Sequence, residues 1–175
     1  MSKNAAIEII LRVRPHKNPF KGFTLNREEG RADFFIPREK DDGYINNKEE
    51  KRSFAFNQVF DMDARQEKIF DRVAKDVVDS AMEGFNGTIF AYGQTGSGKT
   101  FTMTGGYDSY EDRGLIPRTL SYIFNECKGR SESIKVNISY LQIYQSAGYD
   151  LLAKENVTKK LEDLPKVEPR EGANG

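Results

Sequence analysis

Apolar and polar positions alternate from Ile7 to Arg14, with Ile7, Ile9, Leu11 and Val13 on one face and Glu8, Ile10, Arg12 and Arg14 on the other. That period of two predicts a β-strand, and Pro15 ends it by restricting the residue before it. From Lys17 to Ser53 the apolar runs are short, Phe34-Phe35-Ile36 before Pro37 among them, and Asp41-Asp42-Gly43 has turn character. This stretch predicts hairpins and loops. After Asp63 the period lengthens. Ile69, Phe70, Val73, Ala74, Val77, Val78, Ala81 and Met82 recur at helical spacing. Asp63 with Gln66 has the form of a capping box, and Gly84 suits the position just past the helix end. Gly87 to Tyr92 is a short apolar run without alternation, which predicts a strand buried on both faces. Pro117 suits the first turn of a helix that presents Leu120, Ile123, Phe124 and Cys127, with Gly129 as its stop. Ile134 to Tyr144 reads as a further strand.

Strand, helix, strand, loop, helix and strand in that order predict an α/β domain, a sheet with helices on its faces. After Leu152 the chain turns rich in Lys, Glu, Pro and Gly, so residues 1–152 are expected to form the domain and 153–175 a charged loop. Neither a repeat nor a heptad run is visible. The 175 residues suffice for a single core. Lys plus Arg number 27 and so do Asp plus Glu, which removes the global basic field that would favour nucleic acid. One cysteine, Cys127, and one histidine, His16, exclude a disulfide framework and a zinc-type cluster. A soluble protein of a reducing compartment is expected, since no apolar run approaches the ~18 residues of a membrane span.

The chemistry is concentrated in Gly93-Gln94-Thr95-Gly96-Ser97-Gly98-Lys99-Thr100, a full match to G-x-x-x-x-G-K-[ST]. Glycines let the backbone wrap closely, so that successive N–H groups face phosphate oxygens without obstruction by Cβ. Lys99 is placed to reach the β- and γ-phosphates and the Thr100 hydroxyl to ligate Mg²⁺, which makes these two the candidate catalytic residues. Nucleotide binding alone leaves GTPases, kinases, ATPases and motors open.

Arg12-Val13-Arg14-Pro15, then Phe54-Ala55-Phe56-Asn57-Gln58-Val59-Phe60-Asp61, then Gly87 through Gly105, and Gly114-Leu115-Ile116-Pro117-Arg118 resemble, in this order, the kinesin motor domain. The resemblance runs from Ile7 to about Leu152. Asp42 to Lys48 and Asp112 to Phe124 are most similar to the ninth kinesin family, whose members work in cilia and flagella. The resemblance implies a P-loop NTPase fold with a central mixed sheet flanked by helices. It also implies ATP and Mg²⁺ as ligands, microtubules as the partner, and a place in the cytoplasm and cytoskeleton, with cilium or flagellum as the finer setting. Neither nucleic acid nor membrane is expected as a partner. Arg12, Arg14 and Pro15 match the segment beside the adenine and ribose; read from the residues alone, the two arginines fit better as the solvated face of a strand. Phe101 matches the ring that stacks near the adenine, or is a core aromatic of its helix. Phe54, Phe56, Val59 and Phe60 read as core, and His16 as a surface loop residue.

The sequence also departs from the family pattern. Gln142, Gln145 and Ser146 stand where kinesins carry a glutamate and then an Asn-Glu pair. Neither a Ser-Ser-Arg nor an Asp-x-x-Gly switch segment occurs. The resemblance therefore implies that these 175 residues hold the nucleotide cradle of a motor and are by themselves no active motor. Two other classes remain in view, a non-motor module that keeps the fold as a binding surface, and a small GTPase or nucleotide kinase. Intact Lys99 and Thr100 oppose the first, and the missing Asp-x-x-Gly opposes a GTPase.

Overall fold

The computed structural model describes residues 7–38, 49–128, 134–153 and 160–168. The turn expected at Asp41-Asp42-Gly43 and the stop at Gly129 lie outside them. The chain forms two compact units, Met1–Gly129 and Arg130–Gly175, and each is taken by itself.

In the first unit, β1 (Ile10–Arg12) pairs in parallel with β5 (Gln58–Phe60), in the register Ile10 to Gln58 and Arg12 to Phe60. The strand is shorter than the alternation predicts, and its inward face is the other one. Ile7 and Ile9 are exposed while Ile10 packs on the core, so Arg12, two residues on, shares the inward side. Between these strands the chain forms an antiparallel sheet of β2 (Phe23–Asn26), β3 (Arg31–Phe35) and β4 (Lys51–Ala55), as the hairpin reading expects. Phe54 is a correction: it is exposed and meets Phe34 edge-on at 5.8 Å, whereas Val59 and Phe60 are buried.

The predicted long helix forms as α1 (Gln66–Val73) and α2 (Lys75–Met82). They meet at Ala74, across which hydrogen bonds to Phe70 and from Val78 continue. The capping box does not form. Arg65 occupies the N-cap without a side-chain bond, and Asp63 instead accepts from Arg27, as Asp61 does. Arg27, helped by the Met62 N–H, holds the Asp61 carboxyl below its usual range. The other end ends as expected: Phe85 N–H donates to Ser80 and Gly84 N–H to Ala81, the paired bonds of a Schellman stop.

Gly87 to Tyr92 corrects the sequence reading. It joins no ladder among the described residues, and Phe90 and Tyr92 are 75% and 96% exposed. The run's lack of alternation marks a strand that needs neighbours on both edges and both faces. Here only Ile89 packs against the core. Beyond the glycine loop come the short α3 (Lys99–Met103) and α4 (Leu115–Lys128), the latter with Pro117 in its first turn as predicted. The core joins Phe60, Ile69, Phe70, Ala74 and Leu115, and α4 is tied to α2 by the Tyr122 hydroxyl, which donates to Asp79 at 2.7 Å. Among the described residues no helix is long and apolar enough to cross a membrane.

In the second unit, β6 (Leu141–Tyr144), β7 (Ala147–Asp150) and β8 (Lys166–Val167) form an antiparallel sheet. The strand expected from Ile134 begins only at Leu141. The tail expected to be linker-like contributes a 3-10 turn at Leu161–Asp163 and β8, because Leu164 finds a buried seat and Val167 pairs with Gly148. Gln145 and Ser146, two of the positions that depart from the family pattern, form a two-residue hairpin turn with φ of 48° and 62°.

Candidate phosphate-binding site

The glycine loop lies between the extended run ending at Tyr92 and the first turn of α3. Gly96 and Gly98 have φ of 80° and 98°, the left-handed region where a Cβ is strained, so their identity follows from the path the loop takes. The Ser97 N–H closes a turn on the Gln94 carbonyl at 3.1 Å. Among the described residues, the N–H groups of Gly96, Gly98, Lys99 and Thr100 have no protein acceptor. Lys99 reaches back over the loop and donates from Nζ to the carbonyls of Gly93 at 2.7 Å and Gln94 at 2.8 Å. An ammonium has three donors, so one is left over. A positive group together with backbone N–H donors that no protein acceptor takes is the donor set that an oxyanion such as a phosphate requires, and the fit of the residues to a nucleotide's phosphates rests on it. Thr100 is exposed on the first turn of α3. Among the described residues no group of three or more His, Cys, Asp or Glu side chains could hold a metal ion.

Arg12, in the first strand, and Arg14, just past it, make different contacts near the loop. Arg14, exposed, donates to the Gly96 carbonyl, and its stem runs 3.9 Å from where a Cβ on Gly98 would stand. Arg12 is half-buried: its guanidinium donates to Gln66 Oε1 at 2.9 Å and to Thr102 Oγ1 at 2.8 Å, and lies 5.5 Å from the Phe101 ring centroid. Arg12 is therefore not a solvated strand residue. Burial lowers its affinity for a proton below that of a free guanidinium, and no carboxylate pairs with it among the described residues. Phe101 is 41% exposed, which removes it from the core and leaves a face free. Pro15 is exposed next to Arg14, and His16 closes a local turn on Asn18. Six of the predicted positions, Arg12, Arg14, Gly96, Gly98, Lys99 and Phe101, thus meet in one place.

Sequence reasoning missed Gln66. Its side chain is 4% exposed, and Nε2 donates to the Phe101 carbonyl at 2.6 Å and the Asp112 carbonyl at 3.0 Å. The signal was present, since 66, 69, 70 and 73 share one helical face and that face is apolar. A cleft of about 440 Å³ beside Arg27 and Asp61 and an apolar one of about 370 Å³ beside Val78 and Leu120 both lie away from the glycine loop.

Comparison with known proteins adds the family context. The family model "Kinesin motor domain" matches residues 12–170. Kinesin-like protein KLP1 of Chlamydomonas reinhardtii is 42% identical over 148 residues, 84% of this chain and 19% of that protein. Kinesin-related protein 13 of Dictyostelium discoideum is 37% identical over 164 residues, 92% of this chain and 13% of that protein. Kinesin-like protein KIF9 of Homo sapiens is 36% identical over 155 residues, 87% of this chain and 20% of that protein. The chain spans a fifth or less of the length of these relatives.

Proposed function

Because this chain belongs to the kinesin motor-domain family, we propose that it is the ATP-binding part of a motor that couples ATP hydrolysis to movement along microtubules. The observation that carries the reading is Lys99 drawn across a left-handed glycine turn, with unbonded N–H groups beside it. In this proposal Gly93, Gln94, Thr95, Gly96, Ser97 and Gly98 wrap the phosphates. Lys99 uses its remaining donor on the terminal ones. Thr100 holds Mg²⁺ through its hydroxyl; when bound with ATP, that ion neutralises charge on the transferring phosphoryl group. Arg14 and Pro15 lie along the ribose and base on one side, and Arg12 with the exposed face of Phe101 forms the other wall. Microtubules are the partner, and the cytoskeleton is the place of work. The resemblance to the ninth kinesin family, alongside the 36% identity to KIF9 of Homo sapiens, supports the cilium or flagellum as the finer setting.

The test is ATP turnover by the complete motor of which this chain is the proposed ATP-binding part, with and without polymerised tubulin. Turnover accelerated by microtubules, and abolished when Lys99 is replaced, is expected. ATP turnover indifferent to microtubules, or absent from a folded protein, would overturn the proposal.

A further inference from the structure

Gln66 lies at the junction of three segments that sequence order keeps apart. Its amide accepts from Arg12 of β1 and donates to the carbonyls of Phe101 in α3 and Asp112 in the loop that precedes α4. The opposite amide orientation would set an NH₂ against a guanidinium and an oxygen against two carbonyls, so the partners fix it. The relay continues, because the Arg12 nitrogen that meets Gln66 also reaches Thr102 Oγ1, and that hydroxyl donates to the Gly98 carbonyl at 3.0 Å. A chain of hydrogen bonds thus runs from Asp112 through Gln66, Arg12 and Thr102 to the glycine loop.

The choice of an amide is informative. An apolar side chain would leave the Phe101 carbonyl and a guanidinium N–H unsatisfied in a part-buried place and would take one of its two donors from the Asp112 carbonyl, which also accepts from the Gly106 N–H, and that is costly. A carboxylate would suit Arg12 but would face two carbonyl oxygens, and it would cancel the arginine's charge. Glutamine alone satisfies all three partners while leaving the guanidinium uncompensated over the Phe101 ring. We propose that Gln66 is a positioning residue of the nucleotide site, holding Arg12 and the backbone of Phe101 in the arrangement that receives the base. This rests on the reading that Arg12 and Phe101 flank the base. Gln66 touches neither phosphate nor metal in this scheme, and at the far end of the relay the Gly98 carbonyl keeps both its bonds from Thr102, side chain and backbone, when Gln66 is replaced, so the effect falls on recognition of the base and not on the phosphate cradle.

The experiment compares binding of MgATP and of magnesium tripolyphosphate, which lacks base and ribose, by the full-length protein and its Gln66→Met and Gln66→Glu variants. Each variant's thermal melt is recorded alongside. The expected result is a loss of about tenfold in ATP affinity in both variants, with tripolyphosphate affinity held within about twofold. If Gln66→Met does not melt cooperatively, Gln66→Glu decides, because its carboxylate keeps the Arg12 contact. Equal losses for both ligands, or ATP affinity unchanged in a folded variant, overturn the proposal. A wild-type protein that binds ATP no more tightly than tripolyphosphate refutes the underlying reading of the base wall, and the proposal with it.

Discussion

Replacing Lys99 by Met keeps most of the side chain's length and removes its ammonium. In the free protein two hydrogen bonds disappear, those to Gly93 and Gln94 at 2.7 and 2.8 Å. Both carbonyls lie in a partly exposed loop that water can reach, so the effect on folding is small. Binding is different, since water cannot replace a fixed cation against a terminal phosphate inside the cradle. A hydrogen bond to a charged group is worth about 1.5–3 kcal/mol, which converts to about 10- to 150-fold in affinity for MgATP. Lys99→Arg is expected not to rescue binding, because a planar guanidinium cannot direct protons at two loop carbonyls and a phosphate as a rotating ammonium does. Titration calorimetry of MgATP into the full-length proteins, with melts run in parallel, measures this. A folded Lys99→Met variant that binds MgATP within about twofold of wild type would refute the role given to the ammonium.

Phe101→Ala is expected to weaken ATP by about 1 kcal/mol through lost stacking and to leave tripolyphosphate unchanged, as read by competition binding. Gly98→Ala forces a Cβ into φ of 98° and is expected to cost about 1–2 kcal/mol in stability, with a weaker phosphate site, seen in denaturant melts and ATP titration. Ser146→Gly relieves a left-handed residue in the β6–β7 turn and is expected to stabilise that hairpin by about 1 kcal/mol, measured as slower amide exchange at Ala147 and Gly148. The Tyr122 phenol, which donates to Asp79, is pushed from 10.0 up to about 12. The folded state therefore holds that proton more tightly than the unfolded state, and the stabilisation is complete below pH 10 and fades towards pH 12. Tyr122→Phe should flatten the fall in Tm across that window relative to wild type.

The glycine loop was legible because each of its residue types has one dominant use, and so were the end of α2 at Met82 and the first turn of α4, because Gly84 and Pro117 act locally. What the sequence hid was mostly direction. Alternation in Ile7 to Arg14 announced a strand but not which face turned inward, and three successive isoleucine and leucine positions obscured that Ile10 and Arg12 lead the buried side. Gln66 was misread because Asp63 offered a local capping partner, while the real partners are 35 to 54 residues away in sequence. The run from Gly87 to Tyr92 has a strand's composition but finds no ladder among the described residues, since pairing depends on neighbours and not on propensity. The last strand, Lys166–Val167, was invisible because two residues carry no period.

The most direct test of the central claim is microtubule gliding over a surface coated with the complete motor of which this chain is the proposed ATP-binding part, with ATP present and then withdrawn. The account predicts movement that starts with MgATP, stops without it and is lost in Lys99→Met, because the cradle on Gly93 to Thr100 is where the fuel binds. Microtubules that never attach, or that move equally well with the Lys99→Met protein, would contradict it.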